Sequence, residues 1–477
     1  MTNIFTDIKT RRLADRIYKF TSLVYSKTSG TAQLKNAQLP GIVQKLRNRI
    51  SGGENAEITK ADAYTLASEA AFRIFGKRPS FLQIEIASIL DSGCAARIKT
   101  SNISDSSDIL TSNALAAYLI SLSGKGVHVM TKTDMQAVEE TQKLRSLYAF
   151  LDVTVGTLTA DMGKAARKAV YQCDITYGTA EEFALDYLRD NMEYSPESKV
   201  QRELSCALVE NGDYSFIEQA SKQIIISGTA RPDISEEQPH LLAEISIRNY
   251  LCLYEKLSGT VYMPYESEIQ DLYGINTVAV SDISSVVSNA AVKNTKSGRQ
   301  IYTEFDDVLN DLRLFLYNER DEIMHADNLA ERILTDAENS LRDITIEYKK
   351  RISIDPDHAG RFLKAVLEKK CGYVLRAEDN PQKITSIVLT TMTDHVKQKM
   401  ELADGKEFNT ALRTICLQQI DRAWSDALEK LNDLYHAVQQ QIQAGKNAST
   451  DFRADAYLVF SNMLDSIRTN MIKTLCL

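Results

Sequence analysis

The sequence predicts an α/β half built on a buried parallel sheet, followed by an all-α half. Two observations carry this reading. From Gly126 to Val280, short β-branched segments alternate with helical ones, as they do when crossover helices cover both faces of a sheet. From Ile301 to Lys350 there is neither Gly nor Pro, and apolar residues keep helical spacing. The chain has 477 residues, enough for two to four domains, and its 44% apolar and 25% charged residues are ordinary for a globular protein. A formal charge of −8 argues against a nucleic-acid footprint, which would be basic. The 7 Cys are scattered without a C-x-x-C pair, so neither a zinc site nor a disulfide framework is expected. The N-terminus lacks a signal-peptide core, and no stretch approaches the roughly 20 apolar residues of a membrane span.

The first element expected is a basic amphipathic helix. Ile4, Phe5, Ile8, Leu13, Ile17, Phe20 and Leu23 recur at helical spacing, with Lys9, Arg11, Arg12, Arg16 and Lys19 between them. Such a helix either lies on anionic lipid or docks on the protein core. Helical pattern continues from Val43 to Phe75, broken at Gly52-Gly53. Strands are expected at Gly126 to Met130, Val153 to Leu158, Cys173 to Thr176, Cys206 to Glu210, Ile224 to Ser227 and Thr277 to Val280. Ser281 to Gly298 reads as a connector. The stripe that follows would form a helix of roughly 75 Å if unbroken, with Asp311, Arg313, Glu319 and Arg320 on its wet face. Ile352 to Gly405 is less regular, with breaks at Pro356 and Asn380-Pro381. Two last helices, Leu412 to Gln443 and Asp451 to Leu475, make a hairpin around the stop at Gly445-Lys446-Asn447.

Several runs carry a family resemblance. They are Gly76-Lys77-Arg78-Pro79 with Gln83, then Gly124-Lys125-Gly126-Val127-His128-Val129. The longest is Asp174-Ile175-Thr176-Tyr177-Gly178-Thr179, continuing through Glu182-Phe183 to Asp186-Tyr187-Leu188-Arg189-Asp190-Asn191-Met192. These resemble the first nucleotide-binding domain of the SecA preprotein translocase motor. Phe305-Asp306-Asp307-Val308-Leu309-Asn310-Asp311, with Arg313, Tyr317 and Arg320, is similar to the start of that family's scaffold helix. Ile420-Asp421-Arg422-Ala423-Trp424 resembles the first helix of its two-helix finger, with Trp424 as a packing anchor.

The departures matter as much as the matches. Where the family has a Gly-rich phosphate loop, Lys99-Thr100 is followed by Ser101 to Asp108, and Ala95 to Ser123 contains no Gly. A phosphate loop needs glycines so that backbone N–H groups can close on the anion. Where the family has two successive carboxylates, for the metal ion and the attacking water, this chain has Glu210-Asn211, and an amide cannot accept a proton. Only Thr229 to Glu244 stands where the family inserts its preprotein clamp, and the second motor domain is missing between Val280 and Phe305.

The resemblance implies a RecA-like motor domain over 1–280, degenerate and without the clamp. It implies a connector over 281–298, a long scaffold helix over 299–350, a helical-wing-like segment over 351–410 and a finger-like hairpin over 411–477. It implies a remnant nucleotide site of Arg78, Gln83, Glu210 and Asp213, with weak ATP or ADP binding at most, no catalytic residue and no bound metal. The implied role is a pseudo-ATPase accessory or regulatory component of Sec-type protein export. Its implied partners are a Sec-type membrane channel or a full-length SecA-type motor, and an anionic membrane surface met through the N-terminal helix. The implied location is cytoplasmic, peripheral on the inner face of the plasma membrane. Two alternatives remain open: a minimal active SecA-type ATPase, and a helical scaffold unrelated to export.

Overall fold

The computed structural model describes residues 2–31, 33, 35–53, 56–99, 106–228, 240–263, 298–402, 404–443 and 452–476. The chain forms two compact units. The first comprises Met1–Asp190, Lys199–Ile224 and Glu244–Thr303; the second comprises Asn191–Ser198, Ile225–Ala243 and Glu304–Leu477.

The first unit opens with four helices, α1 (Thr2–Thr31), α2 (Leu39–Ser51), α3 (Ala56–Phe75) and α4 (Phe81–Asp91). The α/β alternation then runs β1 (Ala95–Lys99), α5 (Ser106–Ser121), β2 (Val127–Thr131), α6 (Asp134–Phe150), β3 (Val155–Thr157), α7 (Lys164–Tyr171), β4 (Ile175–Thr179), α8 (Ala180–Asp190) and β5 (Cys206–Val209). β6 (Gln223–Gly228) and β7 (His240–Ser246) follow, each divided between the residues of the two units, and the first unit ends with α9 (Ile247–Leu251) and β8 (Lys256–Met263). Six strands make one sheet in the order β1-β8-β5-β2-β4-β3, and every neighbouring pair is parallel. β2 and β5 are buried along their whole length, as expected of central strands covered on both faces.

The strand assignments differ from expectation in two ways. The Ile224 to Ser227 segment lies in β6, which pairs only with β7 and not with the main sheet. β1, β7 and β8 were not evident from β-branched runs. β8 carries Ser258 and Gly259 at its centre, both buried, and a Cβ at Gly259 would sit 2.9 Å from the Phe216 ring. Close approach of a neighbouring side chain therefore requires glycine in the middle of this strand. Thr277 to Val280 and the connector up to residue 297 lie outside the described residues.

The docking reading of α1 holds from Ile17 onward. Ile17, Phe20 and Val24 are buried, and Phe20 meets Tyr64 of α3 edge-on with ring centroids 5.7 Å apart. Tyr18 and Lys19 stay exposed on the opposite face.

The second unit is helical: α10 (Gly298–His325), α11 (Leu329–Ile352), α12 (Pro356–Cys371), α13 (Ile384–Leu402), α14 (Gly405–Gln443) and α15 (Phe452–Cys476). The stripe read as one helix is two, separated at residues 326–328. Side chains of α14 satisfy the interrupted backbone. Asn409 Nδ2 donates to the carbonyls of Ala326 and Asp327, each at 3.0 Å, and its Oδ1 accepts from the Leu329 amide at 3.2 Å. Arg413 also donates to Ala326 O at 3.0 Å. A helix can stop without a local Gly or Pro when another element supplies its caps.

The wet face expected of α10 also needs correction. Arg313 and Arg320 are 1% and 2% exposed. Arg320 pairs with Asp421 of α14 and donates to Glu193 O at 3.1 Å; Arg313 donates to Asn310 at 2.8 Å. Leu312 and Leu316 are buried as the stripe requires, and Trp424 is buried in α14. No helix among the described residues is long and apolar enough to cross a membrane.

Candidate functional site

In a parallel α/β sheet, ligands meet the carboxyl ends of the strands. Glu210 stands there, one residue beyond β5, and its amide donates to Met130 O at 3.0 Å, extending the ladder. Its side chain is buried. Oε1 accepts from Asn113 Nδ2 of α5 at 3.1 Å, and Oε2 accepts from Gln136 Nε2 of α6 at 3.3 Å. Gln136 Nε2 also donates to Glu140 Oε1 at 2.8 Å, and the Glu140 carboxyl is in hydrogen-bond contact with Glu210.

Burial holds Glu210 well above the usual carboxylate range, and the charge and hydrogen bond of Glu140 push it the same way, while the Asn113 amide pulls it down. Asn113 Oδ1 is buried with no partner among the described residues. Both Glu210 oxygens are thus engaged by carboxamide donors, with a second carboxyl alongside. A nucleotide-bound Mg²⁺ would have to displace these donors, so the described residues do not fit that ion. Among the described residues no group of three or more His, Cys, Asp or Glu side chains could hold a metal.

The other expected site residues are spent differently. Gln83 completes a capping box at the start of α4: its Oε1 accepts from the Ser80 amide at 2.7 Å, while its own amide donates to Ser80 Oγ at 3.2 Å. Arg78 pairs with the buried Glu69 and lies over the Phe72 ring, 4.7 Å from its centroid. Burial alone would raise the Glu69 carboxyl, but hydrogen bonds from Arg73 and Arg78 outweigh it and hold Glu69 below its ordinary range. Asp213 is half-buried and leads into a short π-turn, Tyr214–Glu218. The segment Thr100 to Asp105, where a phosphate loop would stand, lies outside the described residues. The side chains that surround Glu210, namely Asn113, Gln136 and Glu140, were not singled out from sequence. Only the four-residue spacing of Gln136 and Glu140 on one helix face hints at them.

The long Asp174 to Met192 run has a different use. Arg167 of α7, 4% exposed, bonds Glu182 at 2.7 Å and Asp186 at 2.9 Å, and Tyr171 donates to Asp186 at 2.9 Å. Arg167 also donates to the carbonyls of Thr159, Ala160 and Met162. His128, in β2, is buried, stacked on Phe183 at 4.5 Å and bonded to the Tyr254 hydroxyl at 2.8 Å. Burial, helped by the nearby Arg202 charge, pushes its pKa down to about 3, so it is a neutral core histidine.

Residues 1–237 match the SecA DEAD-like domain, and residues 287–477 match the SecA wing and scaffold domain. The chain belongs to the SecA family. It is 36% identical over 257 residues to the protein translocase subunit SecA of Treponema denticola, an alignment covering 54% of this chain and 27% of that relative. This SecA-family chain therefore aligns with little more than a quarter of that relative. Residues 238–286, which hold β8 of the central sheet, fall between the two matched domains.

Proposed function

We propose that this SecA-family chain is a pseudo-ATPase that acts as an accessory or regulatory component of Sec-type protein export. The observation that carries the reading is the environment of Glu210, whose oxygens are taken by Asn113 and Gln136 and whose neighbour is a second carboxyl. Asn211 beside it cannot take a proton from an attacking water. Similarity to a protein translocase subunit supports the link to export. The partners proposed are a Sec-type membrane channel or a full-length SecA-type motor.

Purified protein is expected to release no phosphate from Mg²⁺–ATP above a protein-free control. Steady release that disappears in Glu210→Ala would sink the pseudo-ATPase reading and favour a minimal active motor. Export involvement is tested separately, by asking whether the chain co-purifies with channel components from the native membrane fraction. Recovery wholly without them would leave a scaffold role instead. The proposed contact with anionic lipid falls to the part of α1 before Arg12, because Ile17 and Phe20 are already in the core. Sedimentation with anionic vesicles should weaken on deletion of residues 2–11 and on adding salt. Equal binding to neutral vesicles would refute that contact.

A further inference from the structure

The long helices α14 and α15 run antiparallel, and the bond from Gln419 Nε2 to Thr474 Oγ1 at 2.9 Å fixes their register. Between them lies a groove of about 500 Å³. Its α14 wall presents Arg422, Asp426 and Lys430, all exposed, at four-residue steps on one helix face. Lys473 of α15 stands at the Gln419 end, so three cations and one carboxylate face this space in a chain whose formal charge is −8. None of these four side chains forms an ion pair or hydrogen bond within the described residues.

The spacing is informative. Four residues of α-helix advance ~6 Å, and two residues of extended chain advance ~6.6 Å with both side chains on the same face. The positive, negative, positive series of α14 therefore matches every second residue of an extended peptide whose charges run negative, positive, negative. The α15 wall presents Asn462, Ser466 and Asn470, also at four-residue steps and exposed. Carboxamides and hydroxyls in such a row can donate to and accept from a peptide backbone. At the Lys473 end, Gln419 Oε1 is buried with no donor among the described residues, an acceptor suited to a backbone N–H. Ala423 and Ala427 leave the floor open.

We propose that the α14–α15 groove binds an extended segment of a partner protein with the pattern acidic-x-basic-x-acidic. Recognition combines complementary charge along α14 with backbone hydrogen bonds along α15. Asp426 selects against an uninterrupted acidic run, because a central carboxylate would face it. The inference stands on the groove alone and does not depend on a role in export.

The test is fluorescence polarisation at low salt with the full chain and labelled peptides carrying Glu-Ala-Lys-Ala-Glu, the reversed Lys-Ala-Glu-Ala-Lys, or the regrouped Glu-Glu-Ala-Ala-Lys between Gly-Ser flanks. Exposed charge pairs are individually weak, but reversal turns three attractions into repulsions, so the first peptide should bind about tenfold tighter than the second. The regrouped peptide should fall between them. Arg422→Glu combined with Lys430→Glu and Asp426→Lys should invert the preference, and Ser466→Trp should block both peptides. All four positions are exposed, and unchanged melting temperatures would verify that folding is intact. Equal binding of all three peptides, or a preference that survives the charge inversion, would overturn the proposal. So would displacement by inorganic phosphate at equal concentration, which would mean a simple anion site, or a signal that follows self-association in light scattering.

Discussion

The Arg167 cluster and the Glu210 cluster belong to the same unit, and both bury carboxylates, but only one has a cation. Around Arg167, two carboxylates and three backbone carbonyls share one guanidinium, and the Tyr171 hydroxyl donates to one of the carboxylates. Around Glu210, two carboxyls share carboxamides and each other. The first cluster serves the family run from Asp174 to Met192, the longest of the resembling segments. The second is the cluster on which the proposed loss of ATPase activity rests, beside the amide of Asn211. Charge balance is internal around Arg167, whereas around Glu210 two carboxyls are held by carboxamides, with no cation among the described residues.

The sharpest way to break this comparison is Arg167→Met. It leaves Glu182 and Asp186 buried without their cation, a change that typically costs about 3–5 kcal/mol. Urea denaturation should show a loss of that order. A loss under ~1 kcal/mol would mean that water enters the cluster and that its balance is not internal.

Glu210→Gln should act with the opposite sign and a smaller size. A carboxyl whose folded pKa lies above its unfolded value, ~4.3, gives a native state that binds more protons, so stability falls as pH rises through that interval. At pH 8 the wild type carries this cost and the glutamine variant does not. A gain of about 1 kcal/mol is expected there, shrinking toward zero near pH 4. Melting curves of both proteins at the two pH values decide it. A variant less stable than wild type at pH 8 would show that the carboxylate is balanced after all.

The smallest effect should come from Arg47→Ala, which sharpens the role of burial. Arg47 pairs with Asp174, at the start of the same family run, at 3.2 Å, but both side chains retain about a fifth of their exposure. Removing it should cost about 0–1 kcal/mol. A loss above ~2 kcal/mol would mean that exposure does not separate the strong clusters from the weak pairs.

Much of the architecture was legible in the sequence because its causes are local. Buried strands announce themselves by β-branched residues, as in β2 and β4, and the helical stripe around Leu312 and Leu316 by its 3.6-residue period. The same logic failed where a neighbour set the rule. Gly259 is demanded by Phe216, 43 residues earlier in sequence and in ring contact with a Cβ that glycine lacks. The break between α10 and α11 is held by Asn409, and Arg313 and Arg320 are buried by helices that periodicity does not reveal.

At the site, Glu210 could be named from its place at a strand end, but its partners could not. Asn113 and Gln136 lie 97 and 74 residues away in sequence. Sequence alone determined the strand–helix alternation from β2 to β5, the missing glycines after Lys99 and the amide at Asn211, because each is a property of a residue and its near neighbours. Only the tertiary structure decided the upward shift of the Glu210 carboxyl and the use made of Arg78 and Gln83. Desolvation and hydrogen bonding are set by which distant side chains the fold packs together, and no local pattern records that.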